Sequence, residues 1–202
     1  MEYRRFPAGQ SPVSTFAYHE HRERAPHLEQ GAHRGRLELT ADMIVEYASG
    51  HRSPITHVVD LGCGDGGLLQ LLQPYEHGDP RIDATGYDFA PANAAGWVDR
   101  CVDGQALDFI ADWDKVELAD LYVMTEVLEH LEDPHGAAQR VAERRSALVC
   151  SSPWIEHEGS IDGSHAWAWD MPGYVAMLEG AGFHVIRSER LSWSQIHMAV
   201  PR

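Results

Sequence analysis

Apolar residues recur along the chain in short runs that alternate with stretches of helical spacing. The runs predict strands over 55–61, 82–87, 101–106, 118–125, 147–150, 183–187 and 195–200. Apolar positions repeated every three or four residues predict helices over 36–48, 68–72, 91–100, 134–145 and 172–179. Residues 154–170 are polar and aromatic and predict a loop. This alternation predicts an α/β fold, with a doubly wound, mainly parallel seven-stranded sheet and helices on both faces.

One stretch places glycines and an acid directly after a buried strand. Residues 58–67 read Val-Val-Asp-Leu-Gly-Cys-Gly-Asp-Gly-Gly. Glycine adopts positive φ easily and lets the backbone approach a ligand, so this corner between strand and helix predicts a nucleotide-like ligand. Gly62, Gly64 and Gly67 fit the G-x-G-x-x-G spacing of dinucleotide sites. A second, overlapping spacing, D-x-G-x-G-x-G, begins at Asp60.

The second spacing resembles the first motif of the class I S-adenosylmethionine (SAM) dependent methyltransferases and accounts for more residues. An acid in the turn would repel a pyrophosphate, whereas it accepts hydrogen bonds from the cationic amino-acid end of SAM. Residues 84–88, Ala-Thr-Gly-Tyr-Asp, resemble the second motif, whose acid binds both ribose hydroxyls. The resemblance implies a Rossmann-like fold and a set of cofactor-binding residues: Asp60, Gly62, Cys63, Gly64, Gly66, Asp88, Phe89, Gln105, Ala106 and Glu126. Gln105 and Ala106 are expected at the adenine, with Asp103 as the alternative.

A third motif, Glu-Val-Leu-Glu-His-Leu-Glu-Asp-Pro, occupies residues 126–134 after a predicted strand. If a helical turn begins directly after Glu126, then Glu126, Glu129 and His130 share one face of that turn. Carboxylates placed together need a shared proton or a cation. A divalent metal is one such cation, and oxygen and imidazole ligands both suit it.

This motif resembles those of the ubiquinone-biosynthesis O-methyltransferases and of the small-RNA 3′-terminal 2′-O-methyltransferases. The resemblance implies a divalent metal, Mg or Mn with other metals left open, held by Glu126, Glu129, His130 and His165. His157 is the reserve ligand. The metal would hold adjacent acceptor oxygens and lower the pKa of one hydroxyl. Other relatives carry the same string without a metal; Glu129, His130 and His165 are then catalytic candidates, and one of the two imidazoles is the general base.

Charge and composition indicate which classes of molecule the protein binds and where it is located. The formal net charge is −15, and Lys115 is the only lysine among 16 basic residues. Nucleic-acid binding depends largely on clustered Lys and Arg, so nucleic acid is disfavoured as a partner, although arginines concentrate before residue 37. The chain shows no leader pattern and no apolar run of about 18 residues. With three cysteines, an odd number, we expect a cytoplasmic protein without a membrane segment; the oligomeric state is left open.

These patterns predict a lid-like N-terminal extension over 1–34 and a methyltransferase domain over 35–202. The predicted function is SAM-dependent O-methylation of a small-molecule hydroxyl. Two alternatives stay open. The metal-type motif favours RNA 2′-O-methylation, which the acidity of the chain opposes. A SAM-binding protein without transferase activity is opposed by the full set of acids and histidines.

Overall fold

The computed structural model describes residues 1–50, 55 and 57–202. Pro54 and Thr56, next to the predicted start of the first core strand at Ile55, lie outside these residues. The strands are β1 (Glu2–Arg4), β2 (His57–Leu61), β3 (Asp83–Asp88), β4 (Asp103–Ala106), β5 (Leu121–Thr125), β6 (Ala147–Pro153), β7 (Trp167–Trp169), β8 (Phe183–Arg190) and β9 (Ser194–Pro201). The α-helices are α1 (Phe16–Glu20), α2 (Gly31–Gly50), α3 (Gly67–Leu72), α4 (Ala94–Arg100), α5 (Pro134–Glu143) and α6 (Met171–Gly180).

Seven strands form one sheet in the order β4-β3-β2-β5-β6-β9-β8, so the predicted seven-stranded α/β fold is confirmed. The pairs β2–β3, β2–β5 and β3–β4 are parallel, and β9 runs antiparallel to β6 and β8. Strands covered on both faces read as continuous apolar runs. β5 fits this rule, because all of its residues are buried.

The chain forms two compact units. One unit is Glu20–Val123, in which α2 buries Met43 and Ile44 and α3 buries Leu68 and Leu69. The other unit combines Met1–His19 with Met124–Arg202, and its largest buried side chains include Trp169, Tyr174 and Phe183. The segment predicted as one N-terminal extension is therefore divided between two units.

Two of the differences from the sequence prediction concern the start of α2 and the predicted loop 154–170. Helix α2 begins at Gly31, five residues before its predicted start at Arg36. Two glycines in the first five residues of α2 weaken the local helical signal, since glycine has low helix propensity. The predicted loop 154–170 contains β7, which pairs antiparallel with β1 in a separate two-stranded sheet. The two strands are far apart in the sequence, so no local pattern predicts that they pair.

Among the described residues, no helix combines the length and apolarity needed to cross a membrane.

Candidate cofactor and metal sites

The glycine loop follows β2 and contains three residues with positive φ. Gly62, Gly64 and Gly66 have φ values of 79°, 54° and 84°, a region that other residues seldom adopt. At Gly66 there is also no room for a side chain, because a Cβ would lie 2.7 Å from Val102 Cγ2. At Gly64 a Cβ would meet no heavy atom of the described residues within 4 Å. The backbone at Gly64 therefore borders open space that a ligand can enter.

Asp88 is the last residue of β3 and is hydrogen-bonded to the glycine loop. Its Oδ2 accepts from Gly64 N at 3.0 Å, and its Oδ1 accepts from Ala90 N at 2.7 Å and from Asn93 Nδ2 at 3.2 Å. Trp97 Nε1 donates to Gly64 O at 2.8 Å. The structure therefore brings the predicted ribose-binding acid and the glycine loop together and fixes the direction of the carboxylate.

Cys63 and Phe89 are the less polar members of the predicted cofactor set. Cys63 is 8% exposed, and it packs where Gly86 leaves space, since a Cβ on Gly86 would lie 2.7 Å from Cys63 Sγ. Burial raises the pKa of the Cys63 thiol well above its usual value, which disfavours the reactive thiolate form. Phe89 directly follows Asp88 and is partly buried.

The predicted adenine residues lie on β4, next to β3. In the parallel register Gln105 pairs with Tyr87 and Ala106 pairs with Asp88. The alternative residue, Asp103, lies at the other end of this short strand, where its Oδ2 accepts from Thr85 Oγ1 at 3.4 Å. The register thus brings Ala106 beside the predicted ribose acid and leaves Asp103 farther along the strand.

Asp60 is buried in β2 with only 2% of its surface exposed. Burial, opposed by the positive charge of Arg36 and reinforced by the negative charge of Asp88, raises the pKa of its carboxyl to about 7. Within the described part of the chain, Oδ1 has no hydrogen-bond partner. A buried oxygen without a donor is costly, so an ammonium group that entered here would gain a favourable interaction.

Asp60 should make the stability of the protein depend on pH. The folded pKa of about 7 lies above the usual 3.8, so the folded state binds this proton more tightly, and the stability that the proton provides is lost as the pH rises from about 4 towards 7. Relative to Asp60→Asn, we expect the wild-type free energy of unfolding to fall by about 2 to 3 kcal/mol between about pH 5 and about pH 7.5. Urea denaturation at both pH values measures this difference, with Asp83→Asn, at the partly buried start of β3, as the control. Parallel pH profiles for wild type and Asp60→Asn would contradict the prediction.

Arg36 is a candidate that the sequence patterns did not distinguish from the other N-terminal arginines. Helix α2 buries it to 1% exposure. Its positive charge opposes the rise that burial causes in the pKa of Asp60, and it adds to the fall that burial causes in the pKa of His27. A more complete helical pattern over residues 31–50 would have shown that this arginine lies on the buried face.

A second network connects residues 20–30 to the loop. The buried Asp65 accepts hydrogen bonds from Arg24 Nε at 3.1 Å and from Arg100 Nη2 at 2.7 Å. Arg100 Nη2 also lies 2.8 Å from both carboxylate oxygens of Glu29. Leu28 is buried close to Gly67, whose added Cβ would lie 3.2 Å from Leu28 Cβ. This part of the predicted extension therefore packs directly on the start of α3.

In the other unit, Glu129, His130 and His165 form a group suited to a metal ion. Each offers a ligand atom, and these atoms lie within 4.8 Å of one another. The imidazole rings of His130 and His165 are 4.7 Å apart between centroids. His130 Nδ1 lies 2.7 Å from Ser164 O. A carbonyl oxygen only accepts, so Nδ1 of His130 carries the hydrogen and Nε2 carries the lone pair.

Glu126 does not belong to this group, because the predicted helical turn after it does not form. The chain instead makes a 3-10 turn over Leu128–His130, and Glu126 has a φ of 57°. Glu126 Oε1 accepts from Ser151 Oγ at 2.7 Å, and Glu126 N donates to Ser151 O at 3.1 Å. Positive φ at a residue with a Cβ is strained, and such strain concentrates at functional sites. The metal and cofactor roles of Glu126 stay predictions.

The reserve ligand His157 also lies outside the group. It is exposed, and its Nδ1 is hydrogen-bonded to Glu158 O at 2.9 Å. Residues 1–19 contact the group instead: Ser14 Oγ donates to His130 O at 2.6 Å, and the His19 ring lies 5.9 Å from the His130 ring between centroids. The local sequence around residues 14–19 gives no signal for this contact.

Comparison with known proteins agrees with this fold. Residues 32–191 match the family model described as a methyltransferase domain, and no curated protein matches the sequence. The [4+2]-cyclase SpnF has a TM-score of 0.65 at 13% identity, over 85% of this chain and 83% of that one. Magnesium protoporphyrin IX methyltransferase (ChlM) from Synechocystis PCC 6803, with bound SAH, the demethylated product of SAM, has a TM-score of 0.60 at 18% identity over 90% of each chain. Mitomycin 7-O-methyltransferase MmcR has a TM-score of 0.59 at 18% identity, over 82% of this chain and 54% of that one.

Proposed function

Because the chain belongs to the methyltransferase domain family, whose model matches residues 32–191, we propose that this class I SAM-dependent methyltransferase methylates a hydroxyl of a small molecule. The family gives the class of methyl donor. The observation that supports a hydroxyl as the methyl acceptor is the group of Glu129, His130 and His165. Their ligand atoms lie within 4.8 Å of one another.

The residues of the unit Glu20–Val123 fit the polar parts of SAM. SAM, when bound, supplies an electrophilic methyl group on a sulfonium sulfur. The buried Oδ1 of Asp60 suits the ammonium group, and the buried guanidinium of Arg36 suits the carboxylate. The open space at Gly64 admits the ligand to the backbone, and the oriented carboxylate of Asp88 accepts from ribose hydroxyls.

The donor set in the other unit fits a divalent metal. A divalent metal, when bound, would lower the pKa of a coordinated hydroxyl. Two imidazoles and one carboxylate suit Mn, Fe, Co or Zn better than Mg, which prefers oxygen ligands. Glu129 is fully buried and supplies the negative charge, while His130 and His165 supply neutral nitrogen ligands.

Three protein ligands leave coordination positions for an acceptor with two adjacent oxygens. We therefore propose a catechol-like or vicinal-diol acceptor. The net charge of −15 opposes a polyanionic substrate. The acceptors named for MmcR and ChlM, mitomycin and magnesium protoporphyrin IX, are small molecules, which supports the same class.

RNA 2′-O-methylation is the second candidate, and the same group of ligands favours it, because a terminal ribose also presents two adjacent hydroxyls. The acidity of the chain makes it the weaker candidate. RNA binding that persists at moderate salt would reverse this order.

Methyl transfer to a panel of acceptors tests the proposal. SAM labelled in its methyl group, with Mn²⁺, is incubated with catechols, vicinal diols, single phenols, amines, thiols and a short RNA duplex. We expect a methyl ether on one of two adjacent hydroxyls, with an equal amount of the demethylated cofactor, detected by mass spectrometry. Transfer to nitrogen or sulfur would overturn the acceptor class. SAM binding without transfer to any acceptor would favour the non-catalytic alternative.

A further inference from the structure

His165 has a carboxylate partner behind its ring. The imidazole Nδ1 lies 2.8 Å from Glu156 Oε2 and 3.0 Å from Glu156 Oε1. Both side chains are only 12% exposed, so water screens this contact weakly. The carboxylate accepts from Nδ1–H, which leaves Nε2 of His165 as the ring nitrogen that can bind a ligand.

The two histidines of the group are held by unlike partners. His130 Nδ1 is held at 2.7 Å by a neutral acceptor, the carbonyl of Ser164, whereas His165 Nδ1 is held by a charged one. A carboxylate behind an imidazole fixes its tautomer and increases the electron density at the opposite nitrogen. His165 is therefore the histidine whose orientation and donor strength depend on a second side chain.

Glu156 is itself held in place by the loop that carries His165. Its Oε1 accepts from Asp162 N at 3.1 Å, and His165 N donates to Asp162 O at 3.1 Å. Asp162 Oδ1 accepts from Ser164 N at 2.8 Å and from Ser164 Oγ at 2.6 Å. Residues 156–165 are thus linked to one another by hydrogen bonds, and these bonds orient the His165 ring.

We propose that Glu156 is a positioning residue that orients His165 and strengthens its bond to a divalent metal. This inference rests on the metal site of the proposed function. Glu156 is not one of the three grouped ligands, so it acts through His165 and not on the metal directly. Its partner is a divalent cation of the class that accepts imidazole nitrogen, such as Mn²⁺, Co²⁺ or Zn²⁺.

Titration of the metal-free protein with Co²⁺ tests the role of Glu156 without any need for activity. We expect Glu156→Gln to raise the Kd for Co²⁺ by about 10- to 100-fold, because the amide keeps the size of the side chain but removes its charge. The visible absorption bands of bound Co²⁺ should also shift, since they depend on the orientation of the ligands. Glu158→Gln is the matched control, because it removes the same charge from the same loop at an exposed position.

The outcomes separate this inference from the proposed function. If wild-type protein binds no Co²⁺, the metal part of the proposed function fails. If wild-type protein binds Co²⁺ and Glu156→Gln matches Glu158→Gln in both Kd and absorption bands, the metal site stands and the positioning role of Glu156 is overturned.

A measurement on wild-type protein covers the case in which Glu156→Gln does not fold. Nitrogen-15 NMR of the imidazole rings should show that His165 carries its hydrogen on Nδ1 in the metal-free protein. A hydrogen on Nε2 would overturn the inference.

Discussion

In the Asp88→Ala variant, SAM is expected to bind at least about 100-fold more weakly than in the wild-type protein. A hydrogen bond to a charged group contributes about 1.5 to 3 kcal/mol, and the variant loses the carboxylate expected to accept from two ribose hydroxyls. The variant also leaves Gly64 N and Ala90 N without their acceptor, so the glycine loop loses the contacts that orient it. Both effects weaken the same interaction.

Thermal unfolding and calorimetry measure this loss. At a SAM concentration about 100 times Kd, wild-type protein gains about 2.7 kcal/mol, or roughly 5 to 10 °C in Tm for a chain of this size. We expect no such shift for Asp88→Ala and an unchanged shift for Asp83→Ala. Asp83 is the matched control because it lies at the other end of β3, where its carboxylate is ion-paired with Arg81 at 3.0 Å. A wild-type shift with NAD in place of SAM would contradict the interpretation of the loop, and Asp88→Asn serves if the alanine variant does not fold.

The second large effect concerns Glu129, whose replacement by glutamine should remove metal binding. Changes outside the ligands commonly weaken metal binding by about 10- to 100-fold, so loss of a direct carboxylate ligand should exceed about 100-fold. Glutamine has the same shape and no charge, and Glu129 is fully buried. Thermal unfolding of the metal-free variant beside the metal-free wild type checks that the variant folds.

Calorimetric titration with Mn²⁺ and activity after chelation test the role of Glu129. Wild-type protein should lose methyl transfer with a chelator and regain it with Mn²⁺ more fully than with Mg²⁺. Glu143→Gln is the control, since Glu143 is exposed on α5 and its Oε1 accepts from a neutral donor, Gln139 Nε2, at 3.0 Å. Activity that survives chelation, or equal Mn²⁺ affinity in Glu129→Gln and wild type, would contradict the metal site. Glu129, His130 and His165 would then only line the pocket.

The site residues that were best predicted from the sequence are those whose positions depend on neighbouring residues in the chain. The glycine loop and Asp88 follow buried strands directly, so strand periodicity and glycine conformation were enough to place them. Glu129 and His130 are neighbours in the chain, so their proximity needs no tertiary information. The place of His165 in the order of motifs, taken from a resemblance, was also enough to bring it into the group.

The remaining features depend on backbone detail and long-range contact. The spacing of Glu126 fits a helical face, but a single residue with positive φ and a 3-10 turn direct its side chain to Ser151. Glu156 is separated from its partner His165 by a loop whose closure depends on Asp162, and no periodic pattern encodes that closure. The β1–β7 pair joins residues 2–4 to residues 167–169, so neither strand predicts the other.

The N-terminal segment, predicted from the sequence as one lid, is divided between two units. Residues 1–19 contact the loops that carry His130 and His165, whereas residues 20–30 are attached through Arg24 and Glu29 to the charge network at the glycine loop. Each stretch contacts candidate ligand-binding residues of its own unit, and the division of the chain between the two units falls after His19. A deletion that ends at His19 would remove only the contacts to the loops that carry His130 and His165. A deletion that continues to residue 30 would also remove the contacts to the glycine loop.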